Sequence, residues 1–297
     1  MKRIIYILIL LAIPLLSDAQ RWKHERLSAY AGVGTSYFLG DLGGGLKDAS
    51  HYFSLRDIDW TYTRPVFTGG IRYRILRDLA VKPTVTYARL KADDAESGSL
   101  GRQARNLEFR TNLWEVGAQF EYYFIKERYL GRYTFSSYKS INKLSAYVSL
   151  GGGGFYFNPK SESVRGANDW KNNELRPMQN ENVSYGMFAG YLSVGLGMKY
   201  KLNERWAIGL DISNRYTTTD YLDDASGSYS GKGNGFDDRH LELIYDDNGL
   251  PISIGGVAPL YPAGKTMRGD PAYNDAYLFT VITGYYKINS VFSMPKY

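Results

Sequence analysis

The 297 residues contain no cysteine. A disulfide scaffold is therefore excluded, and so is the acyl anchor of a bacterial lipoprotein, which needs a Cys after its leader. Histidine is nearly absent: His24, His51 and His240 show no metal-ligand spacing and fall outside the eight predicted barrel strands. Barrel enzymes that cut lipids need a His–Ser pair at the lipid edge, and the nearest counterpart is His51 beside Ser50 and Ser54 on a loop. That does not assemble nucleophile, base and orienting group, so the chain reads as non-enzymatic, with no cofactor or small-molecule substrate. Beyond the N-terminus no stretch stays apolar for the roughly 18 residues of a membrane helix. A basic block is missing as well. The net charge of +6, or +5 once Lys2, Arg3 and Asp18 of the leader are set aside, is scattered between acids, which argues against nucleic acid as a partner.

The first nineteen residues read as a secretory signal: Lys2 and Arg3, an apolar run from Ile4 to Leu16, then Ser17, Asp18 and Ala19 before a cleavage point. Residues 20–297 are then a single exported domain. Tyr (27), Gly (32) and Phe (13) are plentiful while helix-like apolar stripes are not, which favours an all-β fold. A low mean hydropathy does not oppose a membrane location, because a transmembrane barrel alternates lipid-facing and lumen-facing residues.

Period-two alternation marks eight strands, near 27–38, 65–76, 79–91, 111–125, 144–157, 187–202, 205–219 and 275–288. In the fourth, Trp114, Val116, Phe120, Tyr122 and Phe124 share one face and Glu115, Gln119 and Glu121 the other. The seventh sets Trp206, Ile208, Leu210 and Ile212 against Asp211 and Arg215. Runs of about ten or more residues with aromatics near their ends fit strands that cross a bilayer between aromatic girdles. Connections alternate between short, as at Arg77-Asp78 and Asn203-Glu204, and long, at 39–64, 92–110, 158–186 and 220–274. The expected fold is an eight-stranded antiparallel transmembrane β-barrel with short periplasmic turns and long extracellular loops in the cell outer membrane, its outer face against lipid. Arg72, Arg74, Lys82, Lys199, Lys201 and Arg215 with Glu115, Glu121 and Asp211 would form a charge network in its lumen. Eight strands leave no room for an open channel.

The connection between the fourth and fifth strands breaks the alternation, being long and basic. Its Lys126, Arg128, Arg132, Lys139 and Lys143 are candidates for a periplasmic contact. "GGGG" at Gly151–Gly154 lacks the Gly-Lys-Ser/Thr ending of a phosphate loop and reads as a glycine stripe where the wall bends. Asp220, Asp223 and Asp224 are weak calcium candidates. With Asp237, Asp238, Asp246 and Asp247 they do not follow the twelve-residue calcium-loop pattern, and they are expected to be solvated acids or turn formers. "YDDNGLP" at Tyr245–Pro251 predicts a hairpin between 240–244 and 252–254.

"SYFLGDLGG" (Ser36–Gly44), "TRPVFTGGIRYRI" (Thr63–Ile75), "GRQARNLEFRTNLWEVGAQFEYYF" (Gly101–Phe124), "GFYFNPK" (Gly154–Lys160), "GLGMKYKLNERWAIGLDI" (Gly195–Ile212) and "TDYLDDASGSY" (Thr219–Tyr229) together resemble a family of small outer-membrane barrels of Bacteroidota. It is the family that includes PorG, the barrel component of the type IX secretion system. The resemblance covers essentially the whole chain after the leader. It implies a component or anchor of a protein-secretion or gliding apparatus, with periplasmic secretion-ring proteins as partners, and it implies no catalytic residues; 126–143 and the tail Ser290–Tyr297 are the segments expected to make that contact. The alternative is a small barrel that binds an extracellular ligand or surface partner through its long loops. A lipid-modifying enzyme is a third class.

Overall fold

The computed structural model describes residues 26–43, 62–126, 143–161, 174–203, 205–230, 241–245, 251–257 and 267–288. Eight long strands close on one another: β1 (Leu27–Leu39), β2 (Arg64–Arg74), β3 (Leu79–Asp93), β4 (Glu108–Ile125), β5 (Leu144–Tyr156), β6 (Phe188–Lys201), β7 (Trp206–Thr217) and β10 (Ala276–Lys287). The short strands β8 (Leu241–Tyr245) and β9 (Pro251–Val257) pair with each other outside the barrel, as the Tyr245–Pro251 turn signal predicts. Neighbours around the barrel are antiparallel, and the first and last strands seal it from Ser28↔Lys287 to Leu39↔Ala276. Each of the eight predicted segments is a barrel strand. The largest boundary error is at the start of β4, which begins at Glu108 because it pairs as far as Asp93; the ends of β2, β3 and β7 each differ by two residues. β7 stops at Thr217, whose hydroxyl donates to the Thr219 carbonyl at 2.7 Å and turns the chain.

Alternation decides which way each residue faces. Val116 and Leu196, each 63 % exposed, point outward, while Arg72 and Glu121, at 1 % and 0 %, point into the lumen. A water-soluble sheet protein would bury the first pair and expose the second. A closed barrel in lipid satisfies both, because its strands pair with a neighbour on each side all the way round and the apolar belt faces hydrocarbon. The chain is therefore a transmembrane β-barrel. Its outer aromatics line up by register: Tyr87 lies opposite Trp114, Trp114 opposite Tyr156, and Tyr156 opposite Phe188, a row spanning β3 to β6 near the long-loop end. Trp206 and Tyr286, ring centres 4.9 Å apart, serve the same purpose at the short-turn end.

Gly151–Gly154 lie inside β5 with an unbroken register on both sides. A Cβ on Gly153 would strike the backbone of Val116 and Gly117 and come within 3.0 Å of the Tyr191 ring, and one on Gly117 would strike the Tyr191 hydroxyl. These glycines open a slot for a lumenal tyrosine, which is the close-approach use of glycine in a strand.

Candidate functional site

The lumen is filled in tiers. Toward the short-turn end, Arg72 Nε donates to Glu121 Oε2 at 2.6 Å, and Tyr123 OH donates to the same oxygen at 2.7 Å. Lys82 Nζ lies 3.7 Å from Glu121 and 3.4 Å from Asp211, and 4.7 Å from the centre of the Tyr30 ring. Asp211 also accepts from Tyr147 OH, and from Thr283 at 3.1 Å. Toward the long loops, Arg215 Nε donates to Glu115 at 3.0 and 3.2 Å. Its guanidinium sits 4.0 Å from the Phe279 ring centre, and Tyr277 OH donates to Glu115 at 3.1 Å. Lumenal Thr and Ser side chains such as Thr68, Thr86 and Ser213 lie between the tiers.

Three cations thus meet three carboxylates within a barrel whose bore is only as wide as its side chains. Low dielectric makes such pairs costly to break and gives little net gain over apolar packing, so what they contribute is an interior occupied by paired side chains. Of the other lumenal cations predicted, Arg74 lies over Tyr123 at 5.8 Å and Lys199 over Tyr285 at 5.5 Å. These two and Lys201 line the short-turn mouth.

The long-loop mouth is closed by a cap. Leu42, Leu107, Leu175, Leu222 and Ala225, from four separate connections, pack on Val66, Leu113 and Phe155 of the wall. Two arginines, the half-buried Arg105 and the buried Arg268, stitch the connections together. Arg105, on the one-and-a-half-turn helix α1 (Leu100–Arg105), grips Asp94 at 2.7 and 2.9 Å and donates to the carbonyls of Asp41 and Arg268 at 2.6 Å. Arg268 bonds Glu181 at 3.2 Å, Asp224 Oδ2 at 3.0 Å and the Asp224 carbonyl. Glu181 in turn accepts from the backbone of Ser226 and Gly227 at 2.9 and 2.7 Å.

The three loop aspartates are buried, at 8 %, 0 % and 2 % exposure, which corrects the expectation that they are solvated. Nor do they share a ligand. Asp224 is occupied by Arg268, Asn180 (2.8 Å) and Tyr185 (2.6 Å), and Asp223 by the Ala225 and Leu42 amides (2.9 and 3.3 Å). The Ala225 bond is the two-residue turn expected of an aspartate. Among the described residues no three His, Cys, Asp or Glu side chains are placed to hold a metal ion. Burial pushes Asp220 up to about 7, with Asp41, Glu181 and Asp270 adding to it and Ser226 opposing. Asp223 and Asp275 are raised well above the carboxylate range by burial and then by their acidic neighbours.

Of the predicted basic contact, Lys126 pairs with Asp78 at 2.6 Å and the Lys143 carbonyl accepts from Lys201 N at 2.9 Å. Arg128, Arg132, Lys139, the three histidines, Asp237, Asp238, Asp246, Asp247, residues 1–19 and the tail Ser290–Tyr297 lie outside the described residues. The cap arginines Arg105 and Arg268 escaped sequence reasoning, since an arginine in a long loop carries no local sign of its distant carboxylate.

The model of a family described as a domain of unknown function, DUF6089, matches residues 2–234. The chain belongs to this family. Among curated proteins none matches the chain. Solved structures with a similar fold include Neisserial surface protein A, at 12% identity and TM-score 0.39, covering 88% of this chain and 97% of that one. The outer membrane protein OprG from Pseudomonas aeruginosa is similar at 12% identity and TM-score 0.38, covering 90% and 98%. The outer membrane protease OmpT from Escherichia coli is similar at 9% identity and TM-score 0.33, covering 91% and 99%.

Proposed function

We propose that this DUF6089 chain is a non-enzymatic protein of the bacterial outer membrane that serves as a sealed anchor rather than a pore, and that it belongs to a type IX protein secretion or gliding apparatus. The observation that carries the anchor reading is the bore itself. Two ion-pair tiers and an apolar cap obstruct it at successive levels, which leaves the faces beyond the membrane to do the work. The secretion assignment rests on the six ordered segments that resemble the PorG-containing family of Bacteroidota. In this reading the short-turn end faces the periplasm, and 126–143 meets the secretion-ring proteins. Deleting the gene should block export of signal-tagged cargo and stop gliding, and detergent-solubilised tagged barrel should bring down periplasmic ring components. Normal export in the deletion strain, with no co-purifying protein, would sink the assignment.

A second reading, that the long loops bind an extracellular ligand or surface partner, is favoured by the β8–β9 hairpin, a two-stranded element that stands outside the barrel sheet. Excising 241–257 separates the two. It should spare secretion under the anchor reading and abolish the phenotype under the binding one. The broader cut, 222–272, is unsuitable because it also removes Leu222, Ala225 and Arg268 from the buried cap.

A further inference from the structure

The short-turn mouth of the barrel is a basic recess of about 370 Å³, including the solvent at its opening. Its lining contains Arg72, Arg74, Lys199, Lys201, Arg205 and Lys287, and no carboxylate among the described residues. Alternation explains the arrangement: the inward positions at the ends of β2, β6 and β10 are all cationic, and the turn into β7 adds Arg205. Two of these side chains are almost fully buried, Arg72 at 1 % and Arg74 at 6 % exposure. Both carry guanidinium nitrogens without a hydrogen-bond partner among the described residues, Nη2 of Arg72 and Nε of Arg74. Arg72 spends its own Nε on Glu121, and that carboxylate is already shared with Lys82. Buried donors are normally satisfied, and an orphaned one calls for an ion or an unseen acceptor. The walls also supply neutral polar groups, Ser28 and Asn203, and the ring of Tyr285, while both guanidinium groups lie over Tyr123 at 4.9 and 5.8 Å.

We propose that this recess binds one small phosphate-class oxyanion, either free phosphate or the phosphomonoester headgroup of a lipid. Arginine forks match the several oxygens of such an anion, whereas chloride offers a single sphere and leaves the forks unused. The site is separate from the secretion reading above and stands or falls without it.

The test uses the full chain folded in detergent micelles. Isothermal titration with inorganic phosphate, against sodium chloride at equal ionic strength, should give saturable one-site binding. Arg74→Gln should weaken it by about tenfold or more, the loss expected of one charge-assisted contact. Arg205→Gln, at an exposed position on the rim, should weaken it less and will fold even if Arg74→Gln does not, with the heat-modifiable gel shift of a folded barrel as the check. Reconstitution in phosphatidylcholine vesicles with and without phosphatidic acid, read by phosphorus NMR, distinguishes the two sources. An immobilised headgroup signal that Arg74→Gln abolishes assigns the lipid, and titration by free phosphate alone assigns the free ion. No saturable binding in either arm, or binding that folded Arg74→Gln leaves unchanged, would overturn the proposal. So would tight binding of an acidic peptide where phosphate fails.

Discussion

Arg215 shows what a lumenal charge does. With its side chain 4 % exposed it holds Glu115 through two oxygens, lies on Phe279 and donates to Ser213 Oγ at 2.8 Å. Replacing it by leucine keeps the volume roughly but leaves Glu115 buried without its cation, so Arg215→Leu should cost about 3–5 kcal/mol in urea unfolding from lipid vesicles. The double variant Arg215→Leu with Glu115→Leu should recover most of that loss, because removing both members of a buried pair is often neutral. Equal destabilisation of single and double variants would show that the pair does not act as a unit. The lumenal facing of this residue was legible from alternation alone. Its partner was not, because register across distant strands decides that Glu115 faces it.

At the scale of elements, the strands were readable because lipid outside and a narrow bore inside force strict alternation, and turn residues such as Asn203 mark the ends of hairpins. Asn203 Oδ1 accepts from the Arg205 and Trp206 amides at 2.9 and 2.8 Å, an interaction local enough to see in sequence. The cap was unreadable for the opposite reason. Its bonds join 41–43, 94–107, 174–185, 220–230 and 267–275, segments far apart in the chain with no period between them. The use of Gly153 in "GGGG" was not legible, because the ring it makes room for, Tyr191, lies on another strand.

The cap also carries a pH dependence. Asp220 has a folded pKa of about 7 against an unfolded value of about 4, so the folded cap holds more protons than the unfolded chain between them. Stability therefore falls as pH rises through that window, and the cost of the charge is present in full above about 7. Asp223 and Asp275 shift in the same direction. Hydrogen exchange of cap amides should be slower at about pH 5 than at about pH 8 after correction for intrinsic rates. Asp220→Asn should bring the protection at the higher pH closer to that at the lower. Greater protection at the higher pH in the unmodified chain would contradict the assignment.

The whole molecule is an inverted protein, with charges such as Glu121 at 0 % exposure inside and a belt that includes Val116, Leu196 and Ile282 outside. Its sheet has no free edge, since β1 and β10 pair over their length. The central claim is that this belt faces hydrocarbon. The absence of cysteine makes the test direct, because each introduced thiol is unique. Spin labels at Val116→Cys, Leu196→Cys and Ile282→Cys, with Ser253→Cys at an exposed position of β9 as the aqueous control, can be read by electron paramagnetic resonance in vesicles. The three belt sites should be relaxed by oxygen, which partitions into lipid, and shielded from a water-soluble nickel complex, while Ser253 shows the reverse. Equal access of the nickel complex to all four sites would contradict a transmembrane barrel.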